Sequence, residues 1–312
     1  MSDPFLNPYL EPMLIGIEQP AFDDPQFIFE LKLDGTRCLA YLDDQTRLYN
    51  KRKLSITHKF PELCKLHTMV KRRCVLDGEL FVYHDGNVDF FASQRRSLMN
   101  NHFRIQLASK QYPATFTAFD ILYDQDQYVV DEPLMKRKKR LERIIKEEND
   151  RFSISRYIEE QGTSLFALTK EKHLEGIVAK KKNSRYEIGK RTKQWIKCKH
   201  WEEDDFVVCG YIEKEKGILS FVLGQYDKDK LVYQGHVTMG AGRHLFHDHT
   251  FVKTKCPFDI VPSGNEHAVW LSPMPVCVVS YMERTPQGGL RQPVCRGFRN
   301  DKDPKDCQLT LF

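Results

Sequence analysis

The stretch Glu30-Leu31-Lys32-Leu33-Asp34-Gly35-Thr36-Arg37 sets one lysine among acidic and basic neighbours, a setting from which covalent phosphoryl chemistry can start. Lysine acts as a nucleophile only when deprotonated, and nearby cations or desolvation push it that way. A pocket crowded with basic groups does this and also holds phosphates. A second basic group lies in Trp195-Ile196-Lys197-Cys198-Lys199, where strand alternation sends Trp195, Lys197 and Lys199 to one face. Like charges side by side on a strand are unfavourable without an anion between them, so a phosphate is their natural ligand. Carboxylates complete the set. Asp77 and Glu79 sit inside the apolar run Cys74–Tyr83, and Glu175 opens Glu175-Gly176-Ile177-Val178-Ala179-Lys180. Acids are poor strand formers, so acids held there act as ligands or partners of charge. A lone Lys-x-Asp-Gly also describes an ordinary hairpin with a surface lysine, and the rest of the chain has to decide.

The elements that must position these residues follow from periodicity. In Phe27–Leu33, Phe27, Phe29, Leu31 and Leu33 share a core face, while Ile28, Glu30 and Lys32 share the other. Asp34-Gly35 predicts a tight hairpin, with Cys38–Leu42 as the return strand and Arg37 at its start. Cys74–Tyr83 predicts a strand ending at the His84-Asp85-Gly86 turn. Thr115–Tyr123 predicts another, with Phe119 opposite Asp120; its ring can stack on a purine, although core packing is the default for a single Phe. Residues 1–25 read as an extended lead-in, and Phe60-Pro61-Glu62-Leu63 as a helix. The spacing of Leu134, Leu141, Ile144 and Ile145 predicts an amphipathic helix from Pro133 to about Glu148, with Lys136–Arg140 on its wet face.

At 312 residues, 41% hydrophobic and 29% charged, the chain is long enough for two globular domains. No run approaches the ~18 apolar residues of a membrane span, so no membrane partner is expected. The N-terminus lacks the basic start and apolar core of a signal peptide. The nine cysteines are odd in number, scattered and without a C-x-x-C pair, which predicts reduced thiols in a cytoplasm, with no disulfide and no zinc site. The net charge of +5 is uneven: residues 170–200 hold eleven Lys/Arg against Glu171, Glu175 and Glu187. That cluster points to a polyanion, above all nucleic acid. Beyond His200–Asp205 the chain turns to short strands, Phe206–Tyr211, Leu219–Tyr226, Leu231–Val237 and Val276–Tyr281, which fit a small closed barrel of the five-stranded OB type. Gly240-Ala241-Gly242 reads as a turn. His244, His247 and His249 have no matching Cys or acid spacing and read as a solvated loop.

Six stretches now stand in order: Lys32–Arg37, Leu76–Glu79, Phe119–Leu122, Glu175–Lys180, Trp195–Lys199, and Leu290–Pro293 with Arg299–Lys302. Together they resemble the nucleotidyltransferase motifs of ATP-dependent DNA ligases, in particular the bacterial type that forms the ligase domain of end-joining ligases. The resemblance implies an α+β fold: an adenylation domain of antiparallel sheets with helices over residues 1–202, then an OB-fold β-barrel over residues 203–312. It implies that Lys32 attacks the α-phosphate of ATP to form lysyl-AMP. Arg37 and Glu79 would hold the ribose and nearby phosphate, Phe119 would stack on adenine and Glu30 would lie near the base. Glu175 would bind the divalent metal, Mg²⁺ or Mn²⁺, with Glu79 as a further ligand, and Lys197 and Lys199 would contact the α-phosphate. Arg299, Asp301 and Lys302 resemble the motif that the barrel swings over pyrophosphate, about a hinge near His200–Asp205.

The implied protein is a cytoplasmic monomer acting on nicked double-stranded DNA, a minimal ligase with no added DNA-binding, polymerase or nuclease domain; a Ku-like end-binding partner follows from family analogy alone. Two departures stand out. Asn50-Lys51 replaces the usual Ser-Arg and is followed by Arg52, which leaves either Lys51 or Arg52 to make the second basic substrate contact. Cys295 occupies a usual Phe position, a matter of packing. An RNA ligase or mRNA-capping guanylyltransferase shares the chemistry, but the stretch Glu283–Pro293 is of the end-joining type. A non-enzymatic OB-type binding module would have no use for Lys32, Glu79, Glu175, Lys197 and Lys199.

Overall fold

The computed structural model describes residues 3–6, 8, 10–84, 87–172, 174–239, 252–285 and 288–309. The chain divides into two compact units, Met1–Lys199 and His200–Phe312. The histidines 244, 247 and 249, the glycine turn at 240–242 and most of the 84–86 turn lie outside the described residues.

The first unit holds two sheets. One has the strand order Leu14–Glu18, Arg191–Lys199, Gly176–Lys181, Asp24–Leu31, Tyr157–Glu160. Its first two strands run parallel and the other pairs antiparallel. Residues 1–25 are thus more than a lead-in: Leu14–Glu18 is a sheet strand, and Met13 is buried. The other sheet has the order Thr46–Asn50, Thr36–Leu42, Cys74–His84, Ala114–Asp124, Gln127–Tyr128, with short side strands.

Asp34-Gly35 does not close the expected hairpin, because Asp24–Leu31 and Thr36–Leu42 belong to different sheets. The Lys32 amide donates to Gly176 O at 2.9 Å, on the first sheet, whereas Thr36 already pairs with Leu80 on the second. Lys32 therefore sits where the chain crosses between them. A Cβ on Gly35 would lie 2.1 Å from Leu80 O, so only glycine makes the crossing this closely.

Alternation on Asp24–Leu31 is as expected up to its end. Phe29 packs with Ile177, Ala179, Ile196, Cys198, Leu165 and Phe166 on one side, but Leu31 is exposed. On the opposite face, Ile28 and Glu30 are buried, which places Lys32 at a cleft rather than on an open surface. A second apolar cluster built on Leu39, Tyr41, Val75, Phe119, Tyr186 and Trp195 joins the two sheets. The largest cluster backs the other face of the second sheet.

The helix Leu134–Ile144 is shorter than expected, since Ile145 is extended and bridges to Val70. Its cationic run is only in part a wet face, with Lys136 and Lys139 exposed. Arg137 is buried and holds Asp120 through two hydrogen bonds of 2.8 and 2.9 Å, and Lys138 is buried 2.5 Å from Glu30. Phe60–Leu63 proves to be one 3-10 turn, Pro61–Leu63. Helices Phe90–Leu98, His102–Gln111 and Gly162–Glu171 were not expected; Asp89 and Asn101 cap the first two by accepting from Ala92 N and Arg104 N.

The second unit has seven described strands in one sheet, against the five of the simple barrel. The order is Lys230–Met239, Leu219–Asp227, Glu202–Glu213, Val269–Ser272, Val252–Thr254, with Val276–Tyr281 pairing both Glu202–Glu213 and Val294–Arg299. A bulge between Val208 and Gly210 lets Glu202–Glu213 serve several partners. Phe206, Val208, Phe221, Leu223, Val237, Leu271 and Val279 fill its core, with Cys295 packed against them. The four strands expected are present; Val252–Thr254, Val269–Ser272 and Val294–Arg299 had no clear alternation to announce them. All nine cysteines are free thiols, and among the described residues no helix is long and apolar enough to cross a membrane.

Candidate active site

Strand register brings the chemistry-bearing residues of the first unit into one cleft. Gly176 pairs with Lys199 and Val178 with Lys197, while Val178 also pairs with Glu30 on the strand that ends beside Lys32. Glu175, one residue ahead of Gly176, thus meets both lysines. Its Oε2 accepts from Lys32 Nζ at 2.5 Å and its Oε1 lies 3.7 Å from Lys199 Nζ. Gly176, with φ +138°, lies so close to Cys198 O that a Cβ would come within 2.1 Å, and this turn is what aims Glu175 at the crossing.

Trp195, Lys197 and Lys199 do share a face, with Ile196 and Cys198 on the other. The anions between them are protein carboxylates. Lys197, 32% exposed, pairs with Glu18 at 2.9 Å, whereas Lys199 is only 7% exposed beside Glu175. Burial pushes the Lys199 ammonium below its usual range, with Lys32 nearby adding to the effect against Glu175.

Deeper in the cleft, Arg37 donates through Nε and Nη2 to the two oxygens of Asp77, each at 2.6 Å, and lies 4.3 Å from the centre of the Phe119 ring. Tyr186 Oη donates to the same Asp77 at 2.5 Å. Phe119 meets Trp195 edge-on at 6.1 Å, and Lys180 Nζ is 4.3 Å from each ring centre. Lys180 donates to Glu30 at 3.0 Å, while Lys138 takes the other oxygen of Glu30. Burial pushes the Lys180 amine down to about 8, against the pull of Glu30. For Glu30 burial acts upward, but Lys138 and Lys180 outweigh it and hold the carboxyl below its usual range. Glu30, Arg37, Phe119, Lys180 and Trp195 line a cavity of about 70 Å³ that also reaches Lys32, Glu79 and Ser155.

Glu79 is the reverse case: burial pushes its carboxyl up to about 8, with Arg37 and Lys32 only partly opposing. A carboxyl raised in the folded state binds its proton more tightly there, so its contribution to stability is complete below the unfolded value and is lost as pH rises through about 8. Glu79→Gln, which cannot ionise, should escape that loss. Its melting temperature relative to wild type, without nucleotide, should rise between pH 5 and pH 9; a constant difference would mean that Glu79 ionises normally.

Among the described residues, no three His, Cys, Asp or Glu side chains are grouped to hold a metal. Glu175 and Glu79 offer hard oxygen donors at the cleft, which fits a Mg²⁺-type ion that takes one or two carboxylates and completes its shell with water and phosphate oxygens. Lys51 and Arg52 are not brought to this cleft. Both are exposed on the turn after Thr46–Asn50, where Asn50 Oδ1 accepts from Arg52 N and Leu54 N.

In the second unit, Arg299, Asp301 and Lys302 gather around a residue expected only as part of a hinge. Asp205 accepts from Arg299 Nη1 at 2.8 Å and from Lys302 Nζ at 2.7 Å, while Asp301 takes the other side of the Arg299 guanidinium at 2.7 and 3.0 Å. The hydrogen bonds from Arg299 hold the Asp301 carboxyl down to about 2. Sequence reading missed Asp205 as a site residue, as it missed Lys180, Lys138 and Tyr186, whereas Asp77, expected as a ligand or partner of charge, is the partner of Arg37. Lys180 closes the stretch Glu175–Lys180, two residues after Val178, where alternation alone would have set it on the cleft face.

Residues 14–199 match the family model of the ATP dependent DNA ligase domain, and residues 214–302 that of the ATP dependent DNA ligase C terminal region. The chain is 30% identical to the SPbeta prophage-derived DNA ligase-like protein LigB of Bacillus subtilis over 93% of its own length and 99% of that protein. It is 28% identical to the multifunctional non-homologous end joining protein LigD of Mycobacterium bovis over 90% of its own length, which is 37% of that protein. The chain thus spans little more than a third of LigD. The structure of mycobacterial DNA ligase D complexed with ATP and MES shares 27% identity at a TM-score of 0.54, covering 96% of this chain and 97% of that one. Both of the family's regions follow one another here in a single polypeptide, and the chain belongs to the ATP-dependent DNA ligases, enzymes that form phosphodiester bonds.

Proposed function

We propose that the chain seals 5′-phosphate/3′-hydroxyl nicks in double-stranded DNA through lysyl-AMP and DNA-adenylate, in repair or end joining. The observation that carries this is the convergence of Lys32, Glu175 and Lys199 on one cleft from opposite ends of the first unit. Lys32 Nζ, having lost its proton, attacks the α-phosphorus of ATP; a P–N bond forms and the P–O bond to pyrophosphate breaks. A 5′-phosphate oxygen then attacks the same phosphorus and releases the lysine. The 3′-hydroxyl finally attacks the 5′-phosphorus, expelling AMP.

Glu175 orients Lys32 before the first step, Lys199 and Lys197 neutralise the α-phosphate, and Arg37, held by Asp77, supports the nucleotide with Glu79, Phe119 and Glu30. A divalent ion held by Glu175 with Glu79 supplies further neutralisation of phosphate charge when bound. Either Lys51 or Arg52 serves the substrate from the exposed turn. A Ku-like partner is supported only by the end-joining name of the LigD relatives. Incubation with labelled ATP or GTP, followed by nicked DNA or RNA, tests the reading. Label from ATP and sealing of DNA are expected; label from GTP, or sealing confined to RNA, would point to the capping or RNA-ligase alternative.

Arg299, Asp301 and Lys302 serve the adenylation step in this reading. Asp301→Ala removes one of the two carboxylates that position Arg299 and Lys302→Ala removes a cation, so each should slow lysyl-AMP formation on the order of 10² and affect sealing of a pre-adenylated nick far less. The pair of rates, ATP with protein alone and pre-adenylated nick with Mg²⁺, decides it. Equal losses in both would assign the cluster to structure.

A further inference from the structure

Outside the cleft, the surface around the end of helix Phe90–Leu98 and the start of His102–Gln111 is both apolar and cationic. Leu98, 70% exposed, lines an open hollow of about 510 Å³ together with the exposed Arg95 and Arg104, and Phe103, next to Arg104 in sequence, is 77% exposed. Residues 90–112 contain no Asp or Glu. Among the described residues Arg95 is placed over the Tyr112 ring, 5.1 Å from its centre, and neither Arg95 nor Arg104 has a carboxylate partner. Large exposed apolar groups are unfavourable unless something covers them. Cations interspersed among them, with no acid, select a polyanion that also has apolar edges.

The helix end that carries Leu98 is anchored to the segment that carries Lys32. Thr36 Oγ1 and Ser97 Oγ are 2.7 Å apart, so the residue before Leu98 is tied to the crossing that carries Lys32, and Lys59 Nζ donates to Ser97 O at 2.9 Å. We infer that this surface is a docking face for the duplex flanking the nick, with Arg95 and Arg104 on backbone phosphates and Leu98 and Phe103 against sugars and base edges of the minor groove. Sequence preference is absent from such a contact, as a nick sealer requires.

This inference rests on the ligase reading, and the experiment separates the two. Arg95→Gln/Arg104→Gln and Leu98→Ser/Phe103→Ser are compared with wild type for affinity to a nicked duplex ending in a dideoxynucleotide, across a range of salt concentrations. The arginine pair should weaken binding at low salt about tenfold or more and flatten the slope of log K against log salt by roughly two, close to one per lost phosphate contact. The apolar pair should weaken binding without changing that slope. ATP-driven self-adenylation, which involves no DNA, should stay within about twofold and so report an intact fold. Wild-type affinity and slope in both variants would overturn the inference and leave the ligase reading standing. A wild-type protein that is adenylated by ATP but binds no nick would overturn the ligase reading itself.

Discussion

Lys32→Ala should yield no protein–AMP adduct at all after incubation with ATP and Mg²⁺, while still sealing a nick that already carries 5′-adenylate. The first half follows from position: Lys32 lies at the crossing between two sheets, held at 2.5 Å by Glu175. The second half follows from chemistry, since the lysine has left the phosphorus before the final step. The fold should survive, because Glu175 keeps Lys199 as a cation within reach when Lys32 is truncated, rather than becoming an uncompensated buried charge. Intact-protein mass spectrometry and a sealing rate on pre-adenylated DNA are the measurements. An adduct of AMP mass in the variant, or one mapping to a different lysine in wild type, would remove Lys32 from the role of nucleophile.

Lys199→Gln should slow single-turnover adenylation on the order of 10² or more, about 2.7 kcal/mol of barrier, as the loss of a placed oxyanion donor does. Lys197→Gln should also slow it sharply, but less than Lys199→Gln. The two lysines share a strand face, yet Lys199 is nearly enclosed next to Glu175, whereas Lys197 is about one-third exposed and pairs with Glu18. A charge in a less hydrated setting interacts more strongly with a phosphate than one in water. Quenched-flow rates near wild type in both variants would make them ordinary surface groups.

What the sequence made legible was local. The alternation in Trp195–Lys199 needed only the two-residue strand period, and the structure keeps it. The crossing at Asp34-Gly35 was misread because a tight hairpin and a sheet-to-sheet crossing call for the same permissive residues; which one forms depends on Leu80, which meets Gly35 from another strand. The cationic run of Lys136–Arg140 was misread for the same kind of reason. Its partners, Asp120, Glu30, Asp124 and Glu132, come mostly from distant strands, and without them a charged helix reads as solvated. Glu175 beside Lys32 lies 143 residues away in sequence, a distance that no periodicity spans. Family motifs named both residues, while register explains why they meet.

The parallel pairing of Leu14–Glu18 with Arg191–Lys199 also constrains how the protein is made. A nascent chain emerging from the ribosome exposes its first strand early, but the neighbour that completes it is the last strand of the unit. Until Lys199 has been synthesised the buried lysine is missing from the cleft, and the loop to be closed is nearly the whole unit, which makes this pairing slow. Fragments ending short of that strand should therefore be catalytically silent and should present an unpaired, adhesive edge, so that chain completion itself switches the chemistry on.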